Sequence, residues 1–173
     1  MVKRLILSSL AILALLLLQS SITFSKIFEI SHVKPNILLV FVLLLSLKAG
    51  LFPSFFIGFS CGFLTDLIST GYFGFYLLPF YLTCTSIGYF KSKIQFNKIT
   101  ITFITFFFAL LLYNFILFLL ITLFYDLISA LYYTKNIILL ELVLNTLLFP
   151  IVYYCIMAVN FIILKIEKRP VIG

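Results

Sequence analysis

The chain is a series of long apolar segments separated by short polar connections. Runs such as Leu5–Leu18 and Ile99–Phe124 contain no charged residue. Runs of this kind indicate helices in lipid, because about 20 apolar residues span a bilayer. The alternation of apolar and polar positions that is typical of an outer-membrane barrel is absent from the sequence. The pattern therefore predicts an all-α integral membrane protein.

Six transmembrane helices, packed as one compact bundle, are predicted from these segments. Their expected limits are Leu5–Phe24, Pro35–Leu47, Leu51–Ile68, Tyr72–Phe90, Ile99–Phe124 and Ile137–Leu164. The second segment is short, but a single helix over residues 35–68 would extend roughly 51 Å against a hydrocarbon core of about 30 Å. It would also place Lys48 and Gly50 near its middle, where a charge is costly. A break at Lys48-Ala49-Gly50 is therefore predicted.

The distribution of basic residues sets the expected orientation. With six spans and a cytoplasmic N-terminus, nine basic residues lie inside and three outside, as the positive-inside rule requires. The inside set is Lys3, Arg4, Lys48, Lys91, Lys93, Lys98, Lys165, Lys168 and Arg169, and the outside set is Lys26, Lys34 and Lys135. Five spans with an external N-terminus satisfy the rule almost equally well. Segment length and Lys48 favour six, which places both termini in the cytoplasm.

The first segment has a second interpretation. Lys3-Arg4, the apolar run Leu5–Leu18 and Ser20-Ser21 together resemble a secretory signal peptide. The apolar stretch resumes at Ile22, however, and no A-x-A-like cleavage site stands out. Retention of this segment as a transmembrane helix is the favoured prediction.

Composition and the scarcity of reactive groups limit the possible functions. The net charge of +7 is spread over the connections between spans, so no domain remains to bind nucleic acid. The cysteines Cys61, Cys84 and Cys155 lie inside apolar segments, and His32 has no metal-ligating neighbours in the sequence. No nucleophile, base and orienting group can be combined into a catalytic site. The sequence predicts a non-enzymatic protein without metal or cofactor.

Small and acidic residues mark one face of the third segment. Gly58, Gly62 and Asp66 recur every four residues, so they share one side of a helix. Small residues at this spacing allow another helix to approach closely, and packing holds helices together in lipid. We expect a helix-packing or partner-binding face. Asp66 either serves that face, as ionisable residues near spans often do, or hydrates at the outer surface, or caps a helix beginning around Tyr72.

A tight hairpin is predicted directly after this face. The connection Ser69-Thr70-Gly71 is short, and Gly71 and Gly74 can adopt the backbone angles that a chain reversal requires. The third and fourth helices should therefore pack antiparallel.

The last segment contains polar residues and a proline. Glu141 and Asn145 share a face, and Pro150 is expected to kink the helix near mid-span. Asn145 is available to backbone groups or to neighbouring side chains, as is Asn114 in the fifth segment. Glu141 either joins Asn145 or lies at the outer interface.

Several motifs follow one another in a fixed order along the chain. They are Gly58-x3-Gly62-x3-Asp66-x4-Gly71-x2-Gly74, Gly88-Tyr89 and Asn145-x4-Pro150. With the chain length and the predicted number of helices, they resemble the MreD family of rod shape-determining proteins. The resemblance covers nearly the whole chain.

This resemblance implies a multi-pass protein of the bacterial cytoplasmic membrane that takes part in cell shape and lateral peptidoglycan synthesis. It implies a non-catalytic scaffold of the elongation complex that binds MreC, a single-span membrane protein, and is linked to MreB and the wall synthases. The family is also similar in fold to the substrate-binding membrane components of vitamin uptake transporters. The alternative function is therefore small-molecule binding, for which the sequence offers Asp66, Asn114, Glu141 and Asn145.

Overall fold

The computed structural model describes residues 33, 35–69, 72–93 and 99–167. The first predicted segment, Leu5–Phe24, lies outside these residues, as do His32 and Gly71. The described helices are α1 (Ile37–Ala49), α2 (Leu51–Ile68), α3 (Leu77–Lys93), α4 (Ile99–Phe124), α5 (Leu127–Tyr133) and α6 (Leu139–Glu167), with a π-helical turn (Thr134–Ile138) between the last two. The described part of the chain is thus built from helices, as predicted.

Helix α1 forms the centre of the bundle. Apart from Ser46 and Lys48, its 13 residues are apolar and lie on all sides of the helix, which is typical of a helix buried all round. Leu39, Leu43 and Leu44 are fully buried, and α1 contacts α2, α3, α4 and α6. Because protein rather than lipid surrounds this helix, the thickness of the bilayer does not set its length. Its shortness is therefore compatible with a position inside the membrane.

Other helices bind the polar groups at both ends of α1. At its start, the backbone N–H of Asn36 donates to Oδ1 of Asn145 in α6 at 2.8 Å. The Asn36 side chain accepts from the N–H of Leu39 at 3.0 Å and caps the first turn. At its end, the Ser54 hydroxyl of α2 lies 3.0 Å from the carbonyl of Ser46. These bonds satisfy groups that water cannot reach inside a bilayer.

The break between α1 and α2 falls at Gly50, where the sequence places it. Gly50 has φ +94° and ψ 178°, a conformation that is essentially restricted to glycine. The Ser54 hydroxyl also lies 2.6 Å from the Gly50 carbonyl, so one side chain joins the two helices across the break.

Three described helices are long and apolar enough to cross a membrane, namely Leu51–Ile68, Ile99–Phe124 and the part Leu139–Ala158 of α6. Their outward faces carry exposed apolar side chains such as Phe108 and Leu147, both 65% exposed. Such faces are stable in lipid and costly in water. Six spans and the orientation of the termini stay predictions.

Two elements differ from the sequence-based limits. Helix α3 begins at Leu77, five residues later than the predicted Tyr72, because Gly74 at φ +96° lies in a turn before it. The predicted connection over residues 125–136 is largely helical, since α5 begins at Leu127. There Asp126 Oδ1 accepts the N–H of Ser129 at 2.9 Å and starts a new helix directly after α4.

Replacing Gly50 with alanine tests the break. A Cβ at this position meets nothing within 4 Å, so the cost comes from backbone strain alone. We expect Gly50→Ala to lower the free energy of unfolding by about 1–3 kcal/mol, measured by SDS titration in mixed micelles. Ala49→Gly is the control and should cost at most about 1 kcal/mol. Equal stability of Gly50→Ala and the wild type would contradict the strained conformation.

Candidate functional site

Helices α2 and α3 form an antiparallel hairpin whose axes approach closely at glycines. A Cβ added to Gly62 would lie 2.5 Å from the Cα of Leu77, and one added to Gly58 would lie 2.8 Å from the carbonyl oxygen of Phe80. Both distances are too short for any side chain, so the two backbones are in direct contact at these positions. The four-residue spacing of the glycines produces this contact, as predicted for small residues in membrane helices.

The same packing continues from α3 toward the start of α2. A Cβ on Gly88 would lie 2.8 Å from the Cβ of Ser54 and 2.9 Å from the Cα of Leu51. The glycine of the Gly88-Tyr89 pair therefore belongs to the same interface as Gly58 and Gly62. Two glycines of α2 and one of α3 therefore keep the helices close along the hairpin.

Asp66 closes the other end of the hairpin. Its carboxylate is buried, at 4% exposure, and accepts three backbone hydrogen bonds. Oδ2 accepts the N–H of Gly74 at 2.9 Å and that of Leu77 at 3.0 Å, and Oδ1 accepts the N–H of Tyr76 at 2.9 Å. Two of these N–H groups lie in the turn that leads into α3 and the third belongs to its first residue, where no partner exists within the helix. A carboxylate at a helix N-terminus is also favoured by the helix dipole.

The structure thus assigns the Gly58, Gly62 and Asp66 face to packing within this chain. Helix α3 occupies the face, and a partner helix would have to displace α3 to reach it. Asp66 does not hydrate at the surface. It caps α3, as one of the sequence-based alternatives states, but the helix begins at Leu77 and not around Tyr72.

A second group of buried polar side chains lies where α6 meets α1. Asn145 is fully buried and Glu141 is 8% exposed, so Glu141 joins Asn145 inside the bundle, while its depth relative to the outer interface stays a prediction. Asn145 accepts the backbone N–H of Asn36 and its Nδ2 lies 3.5 Å from Glu141 Oε1. Asn145 therefore links α6 to α1 by a hydrogen bond. Glu141 lies beside Asn145 on the same face of α6.

Tyrosines from three elements surround Glu141. Tyr76, before α3, Tyr113 in α4 and Tyr133 in α5 lie close enough for electrostatic interaction with it. Tyr76 also interacts with Asp66, so the hairpin end and the α1–α6 contact belong to one polar region of the bundle. No periodic pattern in the sequence indicates this grouping, because its members come from distant segments.

Two further polar or helix-breaking residues were expected to act on neighbouring helices. The Asn114 amide donates to the carbonyl of Leu110 in its own helix at 2.9 Å, and its Oδ1 has no hydrogen-bond partner among the described residues. Asn114 therefore does not bond another helix through these atoms. Pro150 lies inside α6, which continues as one helix from Leu139 to Glu167. A kink at Pro150 stays a prediction.

The described side chains bring together no set of groups that suits catalysis or metal binding. No cluster of three or more His, Cys, Asp or Glu residues occurs in the part of the chain that the structure describes. The Asp66 carboxylate and the Asn145 amide are already bound to backbone groups. The arrangement is suited to holding helices in fixed positions.

The family comparison agrees with this architecture. The family model for the rod shape-determining protein MreD matches residues 1–159. The chain belongs to the MreD family. This match confirms the resemblance drawn from the glycine, aspartate and proline motifs, and it identifies a membrane protein of the cell-shape system. No curated protein and no solved structure matches the chain.

Replacing Asp66 with asparagine tests the cap of α3. Asparagine offers one acceptor oxygen and an NH2 group that cannot accept from N–H donors. At least one of the three N–H groups then loses its partner, and we expect the free energy of unfolding to fall by about 1–3 kcal/mol, measured by SDS titration.

Asp126→Asn is the matched control for this experiment. Hydrogen bonds from Ser129 hold the pKa of the Asp126 carboxyl below its ordinary value, but this group is exposed and asparagine caps helices equally well. We expect little change in stability. A comparable loss in both variants would show that Asp66 has no special role.

Replacing Gly62 with alanine tests the close approach of α2 and α3. The added methyl group would meet backbone atoms of Leu77 and Tyr76, which cannot rotate away. We expect a loss of about 1–3 kcal/mol, as for other overpacked sites, measured as a lower thermal unfolding temperature in detergent. Ser60→Ala, elsewhere on α2, should change it little. A hairpin that accepts the methyl group without loss would contradict the contact.

Proposed function

We propose that this chain is a non-catalytic membrane scaffold of the bacterial cell-elongation complex. In this proposal it lies in the cytoplasmic membrane, binds an MreC-like single-span protein, and thereby supports lateral peptidoglycan synthesis together with MreB and the wall synthases. The observation that carries the proposal is the match of the MreD family model over residues 1–159. The buried polar side chains of Asp66 and Asn145 bind backbone groups of this chain, which is consistent with a scaffold.

The outer face of α2 is the partner surface that we propose. It carries an exposed row of phenylalanines, namely Phe52, Phe55, Phe56, Phe59 and Phe63. The rings touch one another, with centroids 5.4 Å apart for Phe55 and Phe56 and 6.0 Å apart for Phe59 and Phe63. Rings that already pack together lose little side-chain freedom when a helix docks on them. This face borders the hairpin, since the Phe55 ring packs against Tyr81 of α3 with centroids 5.1 Å apart. A partner helix can bind the exposed rings without entering the glycine contact between α2 and α3.

The alternative function, small-molecule uptake, receives less support from the geometry. A small-molecule site needs polar groups that are free to converge on a ligand. Asp66 and Asn145 are bound to backbone N–H groups of this chain. Asn114 and Glu141 remain as candidates, and binding of a water-soluble vitamin by the purified protein would favour the transporter.

Capture of an MreC-like partner tests the scaffold. The tagged full-length chain, co-expressed with the MreC-like protein of the same cell, should retain it through purification in mild detergent. Phe56→Ala combined with Phe59→Ala should reduce retention about tenfold or more, because the loss of central aromatic anchors commonly has this effect.

The control variant removes two exposed phenylalanines from another helix. Phe108 and Phe115 in α4 are 65% and 58% exposed, and Phe108→Ala combined with Phe115→Ala should leave retention unchanged. Loss of the partner only in the α4 variant would move the interface to α4. Failure of the wild-type chain to retain the partner would contradict the scaffold function itself.

A further inference from the structure

Two lysines from different helices meet at one end of the bundle. Lys48 lies in the last turn of α1, and Lys91 lies near the end of α3. The Lys91 ammonium donates a hydrogen bond to the backbone carbonyl of Lys48, which brings its charge to the end of α1. The Lys48 Nζ lies 4.9 Å from the ring centroid of Tyr153 in α6. Three helices therefore position this pair.

The Lys48 ammonium is buried without an acceptor. Its Nζ has almost no exposed surface and no hydrogen-bond partner among the described residues. An ammonium group has three N–H donors, and a buried charge is costly unless it is paired. The Tyr153 ring offsets part of this cost by a cation–π contact, but it supplies no negative charge.

No described carboxylate is placed to neutralise the pair. Asp66, near the end of α2, Asp126, after α4, and Glu141, in the first turn of α6, are the acidic side chains that the structure describes, and they belong to the opposite end of the bundle. Glu167 follows Tyr153 on α6 by about 21 Å of helix. Two like charges are thus held together without an anion from these residues.

We propose that Lys91, whose ammonium lies beside the end of α1 and adds to the charge of the buried Lys48, binds the phosphate of an anionic lipid headgroup. The pair lies at the end of the bundle to which most basic residues of the chain are assigned, and basic pockets between transmembrane helices on that side bind such headgroups. Leu51 and Phe52 follow directly after the break and are 42% and 73% exposed. They provide an apolar surface for the acyl chains, which favours a lipid over a free anion.

Native mass spectrometry of the full-length protein tests the site. The protein is equilibrated with phosphatidylcholine micelles that contain phosphatidylglycerol, and the retained lipids are counted. We expect preferential retention of phosphatidylglycerol by the wild type. Lys48→Gln combined with Lys91→Gln should weaken this retention about fivefold for each lysine. Lys135→Gln, which removes an exposed charge from the opposite end, should leave retention unchanged.

Further measurements distinguish binding of a lipid from binding of a free anion or of a partner carboxylate. Lys48→Arg combined with Lys91→Arg keeps both charges and should retain the lipid, which distinguishes binding from a fold that needs the lysines. Equal retention of both lipids by the wild type would overturn the proposal, whatever the variants do. Displacement of the lipid by millimolar inorganic phosphate would show a free-anion site and overturn the lipid assignment. Loss of a partner protein, without loss of lipid, in the glutamine variant would assign the pair to a partner carboxylate and also overturn it.

Discussion

The satisfaction of backbone polar groups without water is the constraint on which this bundle depends. Helix α1 is short and largely buried, and polar groups at both of its ends are bound by other helices. Asn145, Ser54 and Lys91 supply hydrogen bonds to these ends from α6, α2 and α3. Each bond also fixes one surrounding helix in position relative to α1. The central helix cannot satisfy the backbone polar groups at its own ends. The hydrogen bonds that satisfy them therefore determine how the outer helices are arranged.

The hairpin of α2 and α3 solves the same problem by different means. Its glycines remove side chains from the interface, so the two backbones pack directly and gain van der Waals contact. Asp66 then binds the N–H groups that begin α3. Neither device is sufficient alone, because the carboxylate reaches those groups only when the helices are close. The motif that relates this chain to the MreD family is therefore a structural unit, in which each residue depends on the others.

The elements that the sequence predicts well are those with a local cause. Long apolar runs predict α2 and α4. A single helix over residues 35–68 would be too long for the bilayer, which predicts the break at Gly50. The start of α3 was missed because it depends on the turn at Gly74 and on the hydrogen bonds that Asp66 accepts from that turn, and no helical periodicity indicates either. Helix α5 was missed although Asp126 precedes it, because its 7 residues are too few to show a helical periodicity or to span a membrane. The contact of Asn36 with Asn145 joins positions 109 residues apart, and no local pattern reveals such a pair.

This long-range contact also bears on how the protein is made. Asn36 leaves the ribosome well before Asn145, and at about 5–20 residues per second the interval between them is roughly 5–20 s. During that time the start of α1 lacks its partner, and a short helix with an open end is poorly suited to the lipid interior. The hairpin of α2 and α3, whose partners are close in sequence, is complete much earlier. The start of α1 can therefore gain the hydrogen bond that it has in the finished bundle only after α6 has been synthesised.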